Sequence, residues 1–506
     1  MAVTVYSAQV TGLEARPISV EVDITSGLHI FSIVGLADKE VQESRERIGA
    51  AIKNLGALAP HKKAQRVIIN LAPADIKKEG PAFDLAIAIG YLLASGQINF
   101  APRGTLILGE LGLDGTLRKV SGVLPIAMVA RASGFSRIIL PRGNGAEAAI
   151  LDGIEIIETA SLQETIEYLS GRKTIAPLPR EEMRRNETAS DIDFKDIRGQ
   201  EMVKRALEVA SAGNHNILMS GPPGAGKTIL ARALPSILPP LSFAEALEVS
   251  RIYSIAGLLD GKRPYITSRP FRNPHHTSSY TAIIGGGSYP RPGEITLAHR
   301  GVLFLDEIPE FDRRVIESLR QPLEERTVTV TRVQGVETFP AHVMLVGAMN
   351  PCPCGNLGNA VKDCVCLPGA IQKYKKKLSG PILDRIDIHI ETPAVEYEKL
   401  EGGDSESSEE VRKRVAVARA VQEKRFRGTL IHTNSEMGLG EIKQFIKIKD
   451  SLRPVLRMAH EQHGLSARSY HRVLKLSRTI ADLAGAEDIE QGHIGEALLY
   501  RPKQEI

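Results

Sequence analysis

The chain has 506 residues, enough for about three domains at roughly 150 residues each. Hydrophobic residues make up 42% and charged residues 25%, the balance of a folded globular protein, which excludes a disordered, collagen-like or fibrous chain. Lys and Arg number 64 against 60 Asp and Glu, a net +4 that points to no nucleic-acid partner unless the cations cluster.

The N-terminus lacks a basic flank followed by an apolar core, so no export signal is read there. The longest apolar run, residues 85–94, is about half a membrane span, and a cytoplasmic protein without a membrane partner is expected. Up to about residue 170 strand-like and helix-like runs alternate. Residues 67–71 and 106–108 predict buried strands, 84–93 and 123–132 predict helices, and 112–115 predicts a turn between strands. Residues 171–192, rich in Pro, Arg, Glu, Asn and Ser, are expected to link this domain to a second α/β block over 193–400. The buried strands of that block are placed at 216–219, 302–305 and 343–346. A polar break at 402–409 opens a helical domain over 401–506, with helices at 411–426, 452–463, 469–484 and 494–500.

Gly221-Pro222-Pro223-Gly224-Ala225-Gly226-Lys227-Thr228 matches G-x-x-x-x-G-K-[ST], after a predicted strand and at the opening of a predicted helix. Glycines let the backbone N–H groups converge on phosphate oxygens, and the helix N-terminus adds favourable dipole charge. Lys227 is expected to reach the β/γ-phosphates and Thr228 to ligate Mg²⁺. The apolar strand 302–305 ends in Asp306 and Glu307. The first suits Mg²⁺ coordination, the second the polarisation of an attacking water. ATP and Mg²⁺ are therefore the expected cofactors.

These motifs resemble an AAA+ ATPase. Asp193-Phe-Lys-Asp-Ile-Arg-Gly-Gln200 resembles the segment that opens such domains, and Val346-Gly-Ala-Met-Asn350 the sensor-1 strand. Leu383-Asp-Arg385-Ile-Asp387 resembles the arginine-finger segment of the branch holding magnesium-chelatase ATPase subunits and replicative helicases. Gly464-Leu-Ser-Ala-Arg468 resembles the start of the lid helix carrying the sensor-2 Arg, with Arg472 one turn later as the alternative. The resemblance implies catalytic roles for Lys227, Asp306, Glu307, Asn350, Arg385 and Arg468, the finger acting across a subunit boundary. Residues 271–300, with Asn273-Pro-His-His276, sit where the branch carries its helix-2 insert. Residues 327–339 read as an alternating hairpin turning at Gln334-Gly335, the place of the pre-sensor-1 hairpin. His275 and His276 are open to a metal role or, in preference, to a structural or DNA-facing one.

Arg272-Asn-Pro-His-His-Thr, Pro292-Gly-Glu-Ile and Asn350-Pro-Cys-Pro-Cys-Gly355 together resemble the ComM/YifB family, magnesium-chelatase-like, over essentially the whole chain. That resemblance implies a hexameric DNA helicase or branch-migration factor in recombination or natural transformation. A chelatase-like or chaperone ATPase that remodels a protein is the other class. Residues 1–170 are similar to the Lon-protease domain: Lys77-Lys-Glu-Gly80-Pro81-Ala82 resembles its nucleophile segment and Val120-Ser-Gly-Val-Leu124-Pro125 its lysine segment. Ala82 and Leu124 stand at the reactive positions, which implies a Lon-like fold that is not a protease.

The four cysteines, all between 352 and 366, are not spread as in a secreted disulfide scaffold. Cys352-x-Cys354 and Cys364-x-Cys366 suit a closed four-thiolate Zn²⁺ site, with reduced surface thiols and a redox switch as alternatives. Residues 261–300 carry six Lys/Arg (Lys262, Arg263, Arg269, Arg272, Arg291, Arg300) and one acid, Glu294. Lys373 and Lys375 to Lys377 add a second cluster. Solvated surface is the bland account. Placement on the pore-facing insert favours contacts to DNA phosphates, with stacking limited to residues such as Tyr280 or Tyr289.

Overall fold

The computed structural model describes residues 2–62, 64–181, 183, 192–259, 262–287, 291–332, 335–359, 362–395, 405–463 and 465–501. Two units form, each with its own core. One comprises Met1–Arg184 with Phe243–Ile266, the other Arg185–Ser242 with Thr267–Ile506.

The first unit is built on a seven-stranded mixed sheet. Its strands lie in the order Ile30–Val34, Gln65–Ala72, Glu14–Ser26, Val3–Thr11, Thr105–Ile107, Arg137–Pro141 and Glu155–Thr159. Strand Gln65–Ala72 and helices Asp84–Ala94 and Val123–Ala132 form where the apolar runs predict them. Helix Asp84–Ala94 is apolar all round and buried from Asp84 to Leu92, as a helix enclosed by its own domain must be. Ala82 lies in the turn Pro81–Phe83 and Leu124 is buried, so the two positions carry only apolar side chains.

Residues 243–266, which the sequence assigns to the nucleotide-binding block, pack instead with this first unit. Helix Phe243–Ile255 carries Ser254, whose hydroxyl donates to Glu147 Oε2 at 2.5 Å and accepts from the Leu124 amide at 3.2 Å. Arg251 donates to the Leu13 carbonyl at 2.8 Å. Part of the expected linker is likewise pinned here: the Leu178 amide donates to Ile156 O at 2.9 Å and that of Glu181 to Ala149 O at 3.0 Å.

The second unit holds a five-stranded sheet in the order Phe271–Arg272, Val302–Leu305, Met344–Met349, Ile217–Ser220, Ile388–Glu391. Every pair is parallel. Parallel strands are covered on both faces, which is why these read as unbroken apolar runs. Helices Glu201–Gly213, Lys227–Ile237, Ser408–Arg425 and Ala467–Leu483 supply much of the rest of the core, with further residues from helices Leu439–Phe445, Arg453–His463 and Gln491–Leu499. Ser407 caps Ser408–Arg425 in a reciprocal box with Glu410, and the buried Val411, Val415, Ala418 and Gln422 line one face. The C-terminal helices therefore share one core with the sheet. The hairpin pairs Thr327–Arg332 with Gly335–Pro340. Gly335 falls in a strand rather than the turn, and Gln334 lies outside the described residues. Among the described residues no helix is long and apolar enough to cross a membrane.

Candidate active site

A parallel sheet brings the carboxyl ends of its strands to one edge, where ligands of such folds bind. Three strands deliver chemistry to that edge. Ile217–Ser220 runs into the 221–228 loop, Val302–Leu305 into Asp306 and Glu307, and Met344–Met349 into Asn350. The backbone fixes the loop's glycines. Gly224 and Gly226 adopt left-handed φ values of 78° and 87°. A Cβ on Gly221 would lie 2.0 Å from the Thr392 carbonyl oxygen.

Lys227 Nζ donates to Gly221 O at 2.6 Å, Pro222 O at 2.9 Å and Asn350 Oδ1 at 3.2 Å. Burial lowers its pKa, and Asp306 and Glu307 act in the opposite direction. Thr228 Oγ1 donates to Asp306 Oδ2 at 2.7 Å, so the hydroxyl and carboxylate suited to Mg²⁺ already face each other. Glu307 adopts a left-handed φ of 50°, a strained backbone of the kind that clusters at functional sites. His276 Nδ1 lies 3.8 Å from Glu307 Oε2. The histidine pair thus has an acid beside it. Strand Phe271–Arg272 pairs in register with Val302 and Leu303, so the loops after both strands reach the same edge.

The four cysteine sulfurs come within 4.8 Å of one another beside this edge. Gln200 braces the loop from the other side, donating to Ala225 O at 3.2 Å and Pro393 O at 2.5 Å. Spacing within the sequence gives no signal for Gln200 or for the His276–Glu307 approach.

Arg385, Arg468 and Arg472 are not at this edge. They line a cavity of about 380 Å³ with Arg326, Lys475, Glu324, Asp387 and Glu436. Asn216 and Val343, which precede strands Ile217–Ser220 and Met344–Met349, also line it, so the cavity opens at the amino end of the sheet. None of its lining residues belongs to the 221–228 loop. Arg385 is paired with Glu324 and donates to Pro381 O at 2.6 Å. Arg472 is committed to Ile386 O at 3.0 Å and Asp387 at 3.7 Å, whereas Arg468 is exposed. Burial brings Lys475 down to about 8. Burial would raise Glu436, but the His342 hydrogen bond, Arg326 and the His432 amide hold it down to about 2.

The cations counted along 261–300 are divided between the two units, and two in the second are paired or turned inward. Lys262 and Arg263 belong to the first unit. Arg272 is neutralised by Glu294 through bonds of 2.6 and 2.7 Å. Arg269 turns inward to Pro239 O at 2.7 Å and Arg300 O at 2.8 Å. Lys377 of the second cluster pairs with Glu310 at 2.9 Å. Arg291 and Tyr280 are exposed, and Tyr289 lies outside the described residues.

Three family profiles match the chain: "Magnesium chelatase, subunit ChlI" over residues 193–400, "Subunit ChlI of Mg-chelatase" over 20–144, and "Magnesium chelatase, subunit ChlI C-terminal" over 405–501. The competence protein ComM of Haemophilus influenzae is 40% identical over 506 residues, covering 98% of this chain and 97% of that protein. The uncharacterized protein YifB of Escherichia coli is 41% identical, covering 98% and 96%. Lon protease 2 of Bacillus subtilis is 33% identical over 147 residues, 27% of this chain and 26% of that protein. With near-complete coverage by such relatives and a phosphate loop set on a parallel sheet, the chain belongs to the ComM/YifB family of magnesium-chelatase-like AAA+ ATPases.

Proposed function

We propose that this chain is an ATP-driven motor that remodels DNA, a helicase or branch-migration factor working as a ring, in the hexameric form expected of the family. One observation carries the ring: the phosphate-binding set and the arginine set lie at opposite ends of the same parallel strands. A strand rises about 3.3 Å per residue, so even a four-residue strand keeps the two ends about 13 Å apart. Arg385 and Arg468 therefore complete a neighbour's site, whose ATP–Mg²⁺ is held by the 221–228 loop, Thr228 and Asp306. Glu307 activates water and Asn350 aligns it with the γ-phosphate. Arginine at the transferring phosphate stabilises the charge of the transition state. A Zn²⁺ among the cysteines is structural, since four thiolates leave no open position. The Lon-like region, with Ala82 and Leu124 at its reactive positions, serves binding or assembly, and the site of action is the cytoplasm.

DNA as the partner is supported by the relative named a competence protein and by exposed Arg291 on the insert before Asp306. The magnesium-chelatase profiles favour a second reading, an ATPase acting on a protein partner. ATP turnover measured alone and with single-stranded, duplex and forked DNA separates them. The motor requires stimulation by DNA and binding that weakens as salt rises, because phosphate contacts release counterions. Arg291→Glu should lower DNA affinity and unwinding with basal turnover retained. Failure of the unaltered protein to bind any DNA brings the protein-remodelling reading forward.

A further inference from the structure

The loop after sensor Asn350 turns back over the phosphate-binding loop. Gly355 has a left-handed φ of 80°, and a Cβ there would meet the Pro223 ring at 2.5 Å. Cys352 and Cys364 fold this segment on itself. Their sulfurs are 3.5 Å apart, with Cys352–Cys354 at 3.4 Å and Cys354–Cys364 at 3.7 Å. Zn–S bonds of about 2.3 Å in a tetrahedron place sulfurs about 3.8 Å apart, so the cluster has the dimensions of one ion. The Leu357 amide donates to Cys352 Sγ at 3.4 Å. Tyr374, on the helix Pro368–Lys375 that follows the cysteines, hydrogen-bonds the backbone of Asn350. The segment is thus anchored at the sensor, closed by sulfur and seated on Pro223.

We propose that Cys352, Cys354, Cys364 and Cys366 bind one Zn²⁺, and that the closed site braces the 221–228 loop through the Gly355–Pro223 contact, so that zinc occupancy sets nucleotide affinity. Each ligating thiol releases its proton to solvent, and no other bond changes. Without the ion, four sulfurs this close lose the charge that draws them together. The loop relaxes, and Gly355 no longer confines Pro223. This inference rests on the loop being the ATP site.

The test uses the full chain carrying Glu307→Gln, so that binding is read without turnover. Protein prepared without added metal should hold about one Zn²⁺ per chain, and exchange with Co²⁺ should give the absorption of a tetrahedral thiolate site. Stripping the zinc should weaken binding of a fluorescent ATP analogue by about tenfold, and adding it back should restore affinity. Cys366→His should keep both metal and affinity, and Cys366→Ser should lose both. Gly355→Ala should keep the zinc and still weaken the nucleotide. A metal-free protein with four titratable thiols and no Co²⁺ spectrum overturns the site. Nucleotide affinity indifferent to zinc removal or to Gly355→Ala overturns the brace. Failure of the ATP-site reading looks different: Lys227→Ala would then bind the analogue as tightly as the unaltered chain.

Discussion

Within the phosphate site each side chain has a separable task. In the proposed site Lys227 would supply charge to the phosphates, so Lys227→Ala should raise the Kd for ATP in an equilibrium binding measurement. Glu307 would supply the base, so Glu307→Gln should bind ATP normally and lose about 10²–10⁴-fold in kcat. Equal turnover with and without the Glu307 carboxylate would remove it from that role. His276 lies 3.8 Å from Glu307, and if that proximity positions the carboxylate, His276→Ala should lower kcat several-fold while leaving the Kd for ATP in place. The first two residues were readable in the sequence because each closes a strand–loop motif. His276 was not, because only the parallel pairing of strands Phe271–Arg272 and Val302–Leu305 carries its loop to Glu307. Charge counting is coarse for a related reason: the count holds Arg272 and Glu294 in one window but does not show that they form a bidentate pair.

Among the elements, strands such as Gln65–Ala72 and Val302–Leu305 and helices such as Asp84–Ala94 and Ala467–Leu483 could be read from apolar period. Strands Val3–Thr11 and Glu14–Ser26 and helix Lys39–Asn54 are not read from it. Helix Phe243–Ile255 shows what period cannot give: a pattern of apolar residues says that a face is covered, not by which domain. Its anchor is a polar network in the first unit. Burial raises Glu147, and hydrogen bonds from Ser254 and Asn144 act against that. Glu147→Ala leaves Ser254 without its acceptor and should cost about 1–3 kcal/mol in urea unfolding. A double-mutant cycle with Ser254→Ala should show coupling, since the two groups share one bond. In the second unit, Glu436 joins the segment before helix Leu439–Phe445 to Arg326 and His342 at the hairpin. Its folded pKa of about 2 lies below the usual carboxylate value, so its contribution to stability is complete above about pH 4.5. That contribution is lost as pH falls from there towards 2. Glu436→Gln should therefore flatten the fall in stability over that window, and an unchanged acid profile would count against this charge network.

For the whole molecule, the decisive feature is that the nucleotide-binding block sets two groups of residues at opposite edges of one sheet. The phosphate loop with Asp306, Glu307 and Asn350 stands at the carboxyl edge of the five-stranded sheet, and Arg385 with Arg468 stands at its amino edge. The sequence named both groups but placed them only through resemblance, because no spacing records which end of a strand a distant arginine reaches. In the proposed assembly, copies stacked head to tail would bring one edge to the other, and closure of that repeat would give a ring. Arg385→Ala should then leave ATP binding intact and lower turnover by about 10³-fold or more, as loss of an arginine finger does. Lys227→Ala should be inactive for the opposite reason, since it would keep its arginines but hold nucleotide weakly. Mixed in one ring, the two variants create interfaces where an intact loop from the Arg385→Ala chain meets an intact Arg385 from the Lys227→Ala chain. Turnover should reappear in proportion to those interfaces, peaking near an equal mixture and vanishing at either extreme. Rings shown to be mixed by mass measurement, yet without any recovery, would place Arg385 outside the neighbour's site.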